Sequence, residues 1–441
     1  LKGEQLAMKR RLLDSAVGQM FWGSSAAQKI LSPIYKYQAY YKTKERLDKE
    51  LIKDLGKYNI QQPVGRCLVS YVTGFVKYLC QNPEVGIRGW DPATLPSKME
   101  ELSQGFSRHT MSWESVEMIR QFIERGFIVD CISSRDAHMV TNVSDYDVIV
   151  DEWTSLPQWT VTKSTTKKLY YATGCHWIYH NQADLLRHEW LFARRGIAIP
   201  PSRQLPPTLN PSAADLISFF GNSKVKATYG SYSSKMRNLS ISATHVPTEY
   251  SSKKWEIARN HFLWFGGGGW VYKGLDLVVE AFLKEPKLQL SICGGALDAS
   301  DTYFWKIYGD DIKKSGNITY HGHLDPTGKE FQHLVNSVSA VVYPSSAEGC
   351  AGAVVQCLQH GLIPLVSEIT GLNIHNTWQP LFGTTDSEFI DNIRQRCNEI
   401  AQMPECELES LRHMFWDFAH KNHSRTAYSH SLSIVLDELL V

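Results

Sequence analysis

The sequence predicts an α/β protein made of two Rossmann-like domains facing a cleft, preceded by a helical N-terminal extension. Three observations carry that expectation. The chain has 441 residues, enough for two or three ordinary domains. Short apolar runs alternate with helical segments in both halves, as strands buried on both faces do. A run of glycines follows one such strand and opens one such helix.

Composition narrows the class. Hydrophobic residues make up 43% and charged residues 21%, a globular balance that argues against long disorder. A net charge of +1 gives the molecule no electrostatic reason to seek nucleic acid, and none is expected as a partner. The nine cysteines include no C-x-x-C pair, which points away from a disulfide framework or zinc site and toward a reducing compartment. No apolar run is long enough to span a bilayer. The sequence shows no signal-peptide pattern and does not begin with Met. A cytoplasmic location is the expectation.

Residues 1–60 read as a helical extension in which Lys and Arg outnumber Asp and Glu. The plainer reading is a solvated helix packed on the first domain. The sharper one is peripheral contact with anionic lipid at the inner face of a membrane. Residues 61–250 read as the first domain. A strand is expected at residues 67–75 and a helix at 112–126, with Ser112 as N-cap and Gly126 as stop. Strand runs "FIVDCI", "DYDVIVDEW" and "KKLYYAT" follow, with a helical segment at 181–196. Prolines 200, 201, 206, 207 and 211 mark a loop ahead of "ADLISFFGN", read as the last core strand of the domain. The polar, turn-rich stretch 246–255 is the expected linker. Residues 251–400 read as the second domain, with strands "FLWFG", "LQLSICGG", "NITYHG", "AVVYPS" and "LIPLVS" separated by helices. Residues 401–441 are expected to form C-terminal helices near the domain interface. Two such sheets bind ligands beyond the carboxyl ends of their strands.

Two segments carry chemistry. In "WFGGGGWVYKG" the glycines at 267, 268 and 269 let backbone approach a ligand, the helix that follows favours a negative group, and Lys273 adds a full charge. Neither the phosphate loop of the Walker type nor the strict dinucleotide fingerprint fits. Alone, this segment is equally a flexible turn with a solvated lysine. In "YPSSAEGCAGAVVQCLQHG" a strand ends at Pro344, a polar loop presents Glu348, and a helix of small residues begins near Cys350. Gly349 and Gly352 leave first-turn amides uncovered, which suits an anion. Gln356, eight residues beyond Glu348, can line the same elongated ligand.

Together these segments resemble the C-terminal domain of glycosyltransferase family 4. The glycine turn ahead of Lys273–Gly274, the P-S-x-x-E-G run at Pro344–Gly349 and the segment at residues 361–366 stand in the family's order. The likeness covers residues 262–369 well and the first domain more loosely. It implies a GT-B glycosyltransferase that moves a sugar from a nucleoside-diphosphate sugar to an acceptor hydroxyl, with retention at the anomeric carbon. It further implies that Lys273 meets the donor diphosphate, with the amides near Gly267–Gly269 and Gly349–Gly352, and that Glu348 meets the hydroxyls of the transferred sugar. A first-domain histidine often lies near that sugar in the family, and His176 resembles it best. No cofactor beyond the nucleotide sugar and no metal is expected. The acceptor would be a glycan or glycolipid, as in cell-surface polysaccharide assembly. Two positions depart from the family: Gly268 stands where an arginine is usual, and Gln356 where a ribose-binding glutamate is usual.

On the acceptor side, His109, Asp151, Glu152 and His180 are candidates, read from strand ends facing the cleft. Two rival classes stand beside this reading. One is a nucleotide-sugar epimerase or hydrolase of the same shape. The other is a degenerate, non-catalytic scaffold, suggested by Gly268 and Gln356.

Overall fold

The computed structural model describes residues 51–57, 60–81, 110–159, 163, 165–243, 250, 253–295, 299–374 and 378–441. Most of the expected basic extension, His109, and most of the expected linker lie outside the described residues.

Residues 52–239 build the first sheet from β1 (Ile52–Leu55), β2 (Gly65–Tyr71), β3 (Phe127–Ser133), β4 (Val148–Asp151), β5 (Lys167–Ala172), β6 (Leu216–Phe220) and β7 (Met236–Leu239). Their order is β1-β3-β2-β4-β5-β6-β7. β1 runs antiparallel to β3, and the other pairs are parallel. Two strands correct the sequence reading. Residues 52–55, at the end of the segment read as helical, form β1. "ADLISFFGN" supplies β6 but not the last strand, because β7 pairs outside it. Both added strands lie at sheet edges, where backbone pairing suffices and half-polar sequences are tolerated.

The second sheet holds β8 (His261–Phe265), β9 (Gln289–Cys293), β10 (Ile318–Gly322), β11 (Ala340–Tyr343) and β12 (Ile363–Val366), all parallel, in the order β10-β9-β8-β11-β12. The chain leaves β8 toward β9 and β10, then returns on the other side at β11. The pair β8/β11 is therefore the topological switch point, where open parallel sheets bind ligands. In the first sheet β2/β4 plays that part.

The longer helices are α1 (Gly74–Gln81), α2 (Thr110–Glu124), α3 (Trp177–Arg195), α4 (Leu275–Leu283), α5 (Ala299–Ser315), α6 (Lys329–Ser337), α7 (Gly352–Gln359), α8 (Asp386–Gln402), α9 (Glu405–Asn422) and α10 (Arg425–Leu440). β3 and β11 are buried along their whole length, as strands covered by helices on both faces must be. Two helices join the halves. α10 returns to the first sheet: the Tyr428 hydroxyl lies 3.0 Å from that of Tyr171 on β5, and Arg125 pairs with Asp437 at 2.6 Å. α3 lies against the second half with its polar side inward, burying His180, Asp184, Arg187 and His188. Its last turn pairs Arg194 with Asp276 and Asp386, and Arg195 with Glu280 and Asp311. Ile178, Leu185 and Phe192 are left exposed.

Candidate functional site

Both motif loops leave the switch point of the second sheet. The glycine turn follows β8 and the P-S-x-x-E-G loop follows β11, and adjacent parallel strands deliver them side by side. Backbone and side chain then fasten one to the other. The Ser346 amide donates to the Tyr272 carbonyl at 3.0 Å, and the Tyr272 hydroxyl bonds the Ala347 carbonyl. Trp264 stacks on Tyr343 with ring centroids 6.1 Å apart. Burial pushes the Tyr272 and Tyr343 phenols well up, and the Glu348 charge adds to that in both.

Glu348 sits half-buried in the loop, ahead of α7. Its Oε1 accepts from the Tyr343 hydroxyl at 3.1 Å and from Ser345 Oγ at 3.0 Å. α7 begins at Gly352, close to the expected start near Cys350, so Glu348 lies in the loop ahead of the helix that carries Gln356. Gln356 is 6% exposed, and its Nε2 has no hydrogen-bond partner among the described residues. The Ser346 hydroxyl is in the same condition. Buried polar atoms in this state cost free energy until something pairs with them.

The anion cradle expected from backbone amides is partly occupied. Asp301 Oδ1 accepts from the amides of Gly269 and Trp270 at 3.1 and 3.0 Å. That fixes the turn but removes the Gly269 amide as a free donor. At the other loop the Ala351 amide goes to the Thr370 carbonyl, whereas α7 has no side-chain cap. Lys273 is partly exposed on the turn, its amide held by the Gly269 carbonyl at 2.9 Å.

The first half meets this loop directly. A Cβ on Gly349 would lie 2.3 Å from the Thr173 carbonyl, so only glycine lets the two segments pass. The Cys175 thiol contacts the Glu348 carbonyl oxygen at 3.0 Å. Fully buried Arg187 on α3 donates to the Pro344 carbonyl at 2.8 Å, and burial lowers its pKa to about 10. Its helical spacing from His180, Asp184 and His188 was the available sign that this polar side faces a partner.

The first-half candidates part company here. Next in sequence to Cys175, His176 caps α3: its Nδ1 accepts from the Ile178 amide at 3.4 Å, and burial lowers its pKa. His180 spends both ring nitrogens, Nε2 on the Arg203 carbonyl at 2.7 Å and Nδ1 on the Tyr272 hydroxyl at 3.1 Å. Burial lowers its pKa as well. Asp151 is wholly enclosed by Ser70, Asn210 and the Ser155 amide. Glu152 bonds Ser134 and Thr173 at 2.7 and 3.3 Å, and burial raises its pKa. Through Thr173 it lies beside the seam with Gly349. Tyr272 and Arg203 escaped the sequence reading; nothing local distinguishes a tyrosine beside a lysine or an arginine in a proline-rich loop.

Among the described residues no helix is long and apolar enough to cross a membrane, and no group of three His, Cys, Asp or Glu could hold a metal ion.

No protein-family model matches the sequence, and no curated protein matches it. Solved structures do. Sucrose-phosphate synthase from Thermosynechococcus elongatus has a TM-score of 0.51 at 11% identity, over 74% of this chain and 93% of that one. HepE from Anabaena, solved with UDP, has a TM-score of 0.50 at 11% identity, over 85% of this chain and 100% of that one. TarM from S. aureus, solved with fondaparinux, alpha-GlcNAc-glycerol and UDP, has a TM-score of 0.43 at 11% identity. The match covers 66% of this chain and 55% of TarM, so the chain spans about half of that protein's length. At such identities the likeness is one of fold: two Rossmann-like units in the GT-B arrangement.

Proposed function

We propose that this protein is a glycosyltransferase that takes a sugar from a nucleoside-diphosphate sugar and passes it to an acceptor hydroxyl. One observation carries the reading: the glycine turn and the Glu348 loop emerge together at the switch point of the second sheet, against the β5–α3 loop of the first. A donor bound there has its diphosphate at Lys273 and its sugar at Glu348. HepE, of similar fold, was solved with UDP, which makes UDP-sugars the first donors to try.

In the reaction, the bond from the anomeric carbon to the diphosphate oxygen breaks, and the acceptor oxygen bonds to that carbon. The acceptor proton leaves with the diphosphate or to solvent. Charge grows on the departing diphosphate, and a fixed cation there stabilises the transition state more than the ground state. Lys273 fills that role without a metal. The half-satisfied carboxylate of Glu348 accepts from sugar hydroxyls, and Glu152, beside the seam through its bond with Thr173, is assigned to the acceptor side as part of the same proposal. Retention, family 4 character and a glycan or glycolipid acceptor in polysaccharide assembly belong to the same proposal.

The test is incubation with a panel of nucleotide sugars while free nucleoside diphosphate is measured. Release stimulated by added glycan or glycolipid acceptor supports transfer. Release without stimulation favours a nucleotide-sugar epimerase or hydrolase, and silence across the panel favours the non-catalytic scaffold.

A further inference from the structure

An arginine of the first half reaches the glycine turn. Gly269, at φ +82°, lies under the Arg203 stem: a Cβ there would be 2.7 Å from both Cγ and Cδ of Arg203. Beyond the stem, the guanidinium carbon is 6.0 Å from the centroid of the Tyr272 ring. The loop that presents Arg203 is strapped to the start of α3. The Arg203 carbonyl accepts from His180, Leu205 exchanges two hydrogen bonds with the Asn181 side chain, and Gln204 donates to Asp184. Four prolines, Pro200, Pro201, Pro206 and Pro207, stiffen the same loop. The backbone that carries the arginine is thus held in place before any ligand arrives, which lowers the ordering cost of binding.

Its charge is unspent. Arg203 has no hydrogen bond or ion pair from its guanidinium among the described residues, whereas Arg66, Arg194, Arg237 and Arg412 all do. Arg135, stacked 3.5 Å over the Trp153 ring, has no such bond either, and it feels Arg203 as a like charge. The same Arg203 charge reaches Tyr272, Tyr343 and His180. Arg135 also feels the Glu152 carboxylate, so of the two it is Arg203 that brings an uncompensated charge to the glycine turn. Arg203 is an exposed residue, yet its stem rests on the buried turn at Gly269.

We propose that Arg203 is a donor-binding residue that lays a guanidinium from the first half across the glycine turn, where it grips the diphosphate of the bound nucleotide. This rests on the nucleotide-sugar reading above and adds that the diphosphate site is assembled from both halves. Lys273 supplies a point charge from one side and Arg203 a planar fork from the other, suited to two phosphate oxygens at once. The His180–Tyr272–Ala347 chain ties Arg203's loop to both motif loops, so the site is complete only when the halves are seated on each other.

The experiment uses the full chain and calorimetry. The tightest of UDP, GDP, ADP and dTDP on the wild type is compared with its monophosphate and with inorganic pyrophosphate, on wild type, Arg203→Ala and Arg203→Lys. Arg203→Ala weakens the diphosphate and pyrophosphate about 10- to 100-fold, leaves the monophosphate within about 3-fold, and Arg203→Lys recovers part of the loss. Wild-type affinity for the diphosphate in Arg203→Ala overturns the proposal while leaving the function standing. So does an equal loss for monophosphate and diphosphate. If the wild type binds none of the four diphosphates, the function itself falls and this inference with it.

Discussion

Asp151, at the end of β4, and Glu348, just beyond β11, are carboxylates at the carboxyl edges of their sheets, each beside a switch point. Asp151 is 0% exposed and accepts from three segments, at 2.5 Å from Ser70 Oγ, 2.8 Å from Asn210 Nδ2 and 2.7 Å from the Ser155 amide. Glu348 is half-buried, and both of its side-chain bonds fall on one oxygen, leaving Oε2 without a hydrogen bond among the described residues. A carboxylate whose acceptor capacity is filled by its own fold can do little but hold that fold. One that is aimed by two hydroxyls and left half-open can take a ligand.

The contrast breaks most visibly in stability. Asp151→Ala strands three buried donors and is expected to cost about 3–5 kcal/mol, read from the denaturant midpoint. Glu348→Gln on the same scale should cost under about 1 kcal/mol, because the amide oxygen still accepts from Tyr343 and Ser345. Equal losses in the two variants would erase the distinction.

A second buried carboxylate of the first half sharpens it. Glu114 on α2 accepts from the Ser242 amide and hydroxyl at 3.0 and 2.9 Å, under the Tyr71, Tyr171 and Tyr428 hydroxyls. Burial outweighs these bonds and raises its pKa from 4.5 to about 7. Below the unfolded value both states hold the proton. Between the two values only the folded state holds it, so stability falls as pH rises through that window and levels off above it. Glu114→Gln should flatten that slope and gain about 3 kcal/mol above neutral pH. Urea titrations across pH that show the same slope in both proteins would remove Glu114 as its source.

The motif loops were legible because their chemistry is local. Glycines, a lysine and a glutamate in fixed order need no knowledge of the fold, and apolar runs mark β8, β9, β11 and β12, whereas β10, half exposed along "ITYHG", is legible only from the alternation of strands and helices. β1 and β7 were not legible: "IKDL" and "MRNL" are half polar and owe their place to backbone pairing at an edge. The Gly269 amide's commitment to Asp301, 32 residues on, is likewise invisible to any local pattern. α3 departs from the usual rule, burying His180, Asp184, Arg187 and His188 beside Leu191 and exposing Ile178, Leu185 and Phe192, because its buried polar groups meet the Arg203 loop, Tyr272 and the Pro344 carbonyl. His176, expected near the transferred sugar, uses Nδ1 to cap α3, and His180, expected on the acceptor side, bonds the Arg203 carbonyl and the Tyr272 hydroxyl; neither arrangement is visible in a local pattern.

On the binding side the effects are smaller. Lys273→Ala should weaken nucleoside-diphosphate binding by about 1.5–3 kcal/mol, the worth of a hydrogen bond to a charged group. Glu348→Gln should lower turnover by about 10- to 100-fold while leaving that affinity nearly intact. Calorimetry and single-turnover rates separate the two. Unchanged binding in the lysine variant, or full turnover in the glutamine variant, would take the residue out of the site.

The smallest expected effect is the most particular to this chain. Gln356 is buried with its Nε2 unpartnered among the described residues, at the position that the resemblance to family 4 aligns with a ribose-binding glutamate. A carboxylate accepts from both ribose hydroxyls, whereas an amide offers one acceptor oxygen and an NH2 that must find an acceptor of its own. The amide therefore suits a donor held loosely at the ribose, or one lacking a hydroxyl, as a dTDP-sugar does. Gln356→Glu introduces a charge into a poorly hydrated place, so absolute affinity mixes the ribose contact with a desolvation penalty. The ratio of ribonucleoside to deoxyribonucleoside diphosphate affinity cancels that penalty, because both ligands meet the same protein. The parent should show a ratio near unity. The glutamate variant should raise it by up to about tenfold, or ~1.4 kcal/mol, the gain of a second, charge-assisted bond. A ratio that does not move means that Gln356 does not read the ribose, and its unpartnered amide then needs another explanation.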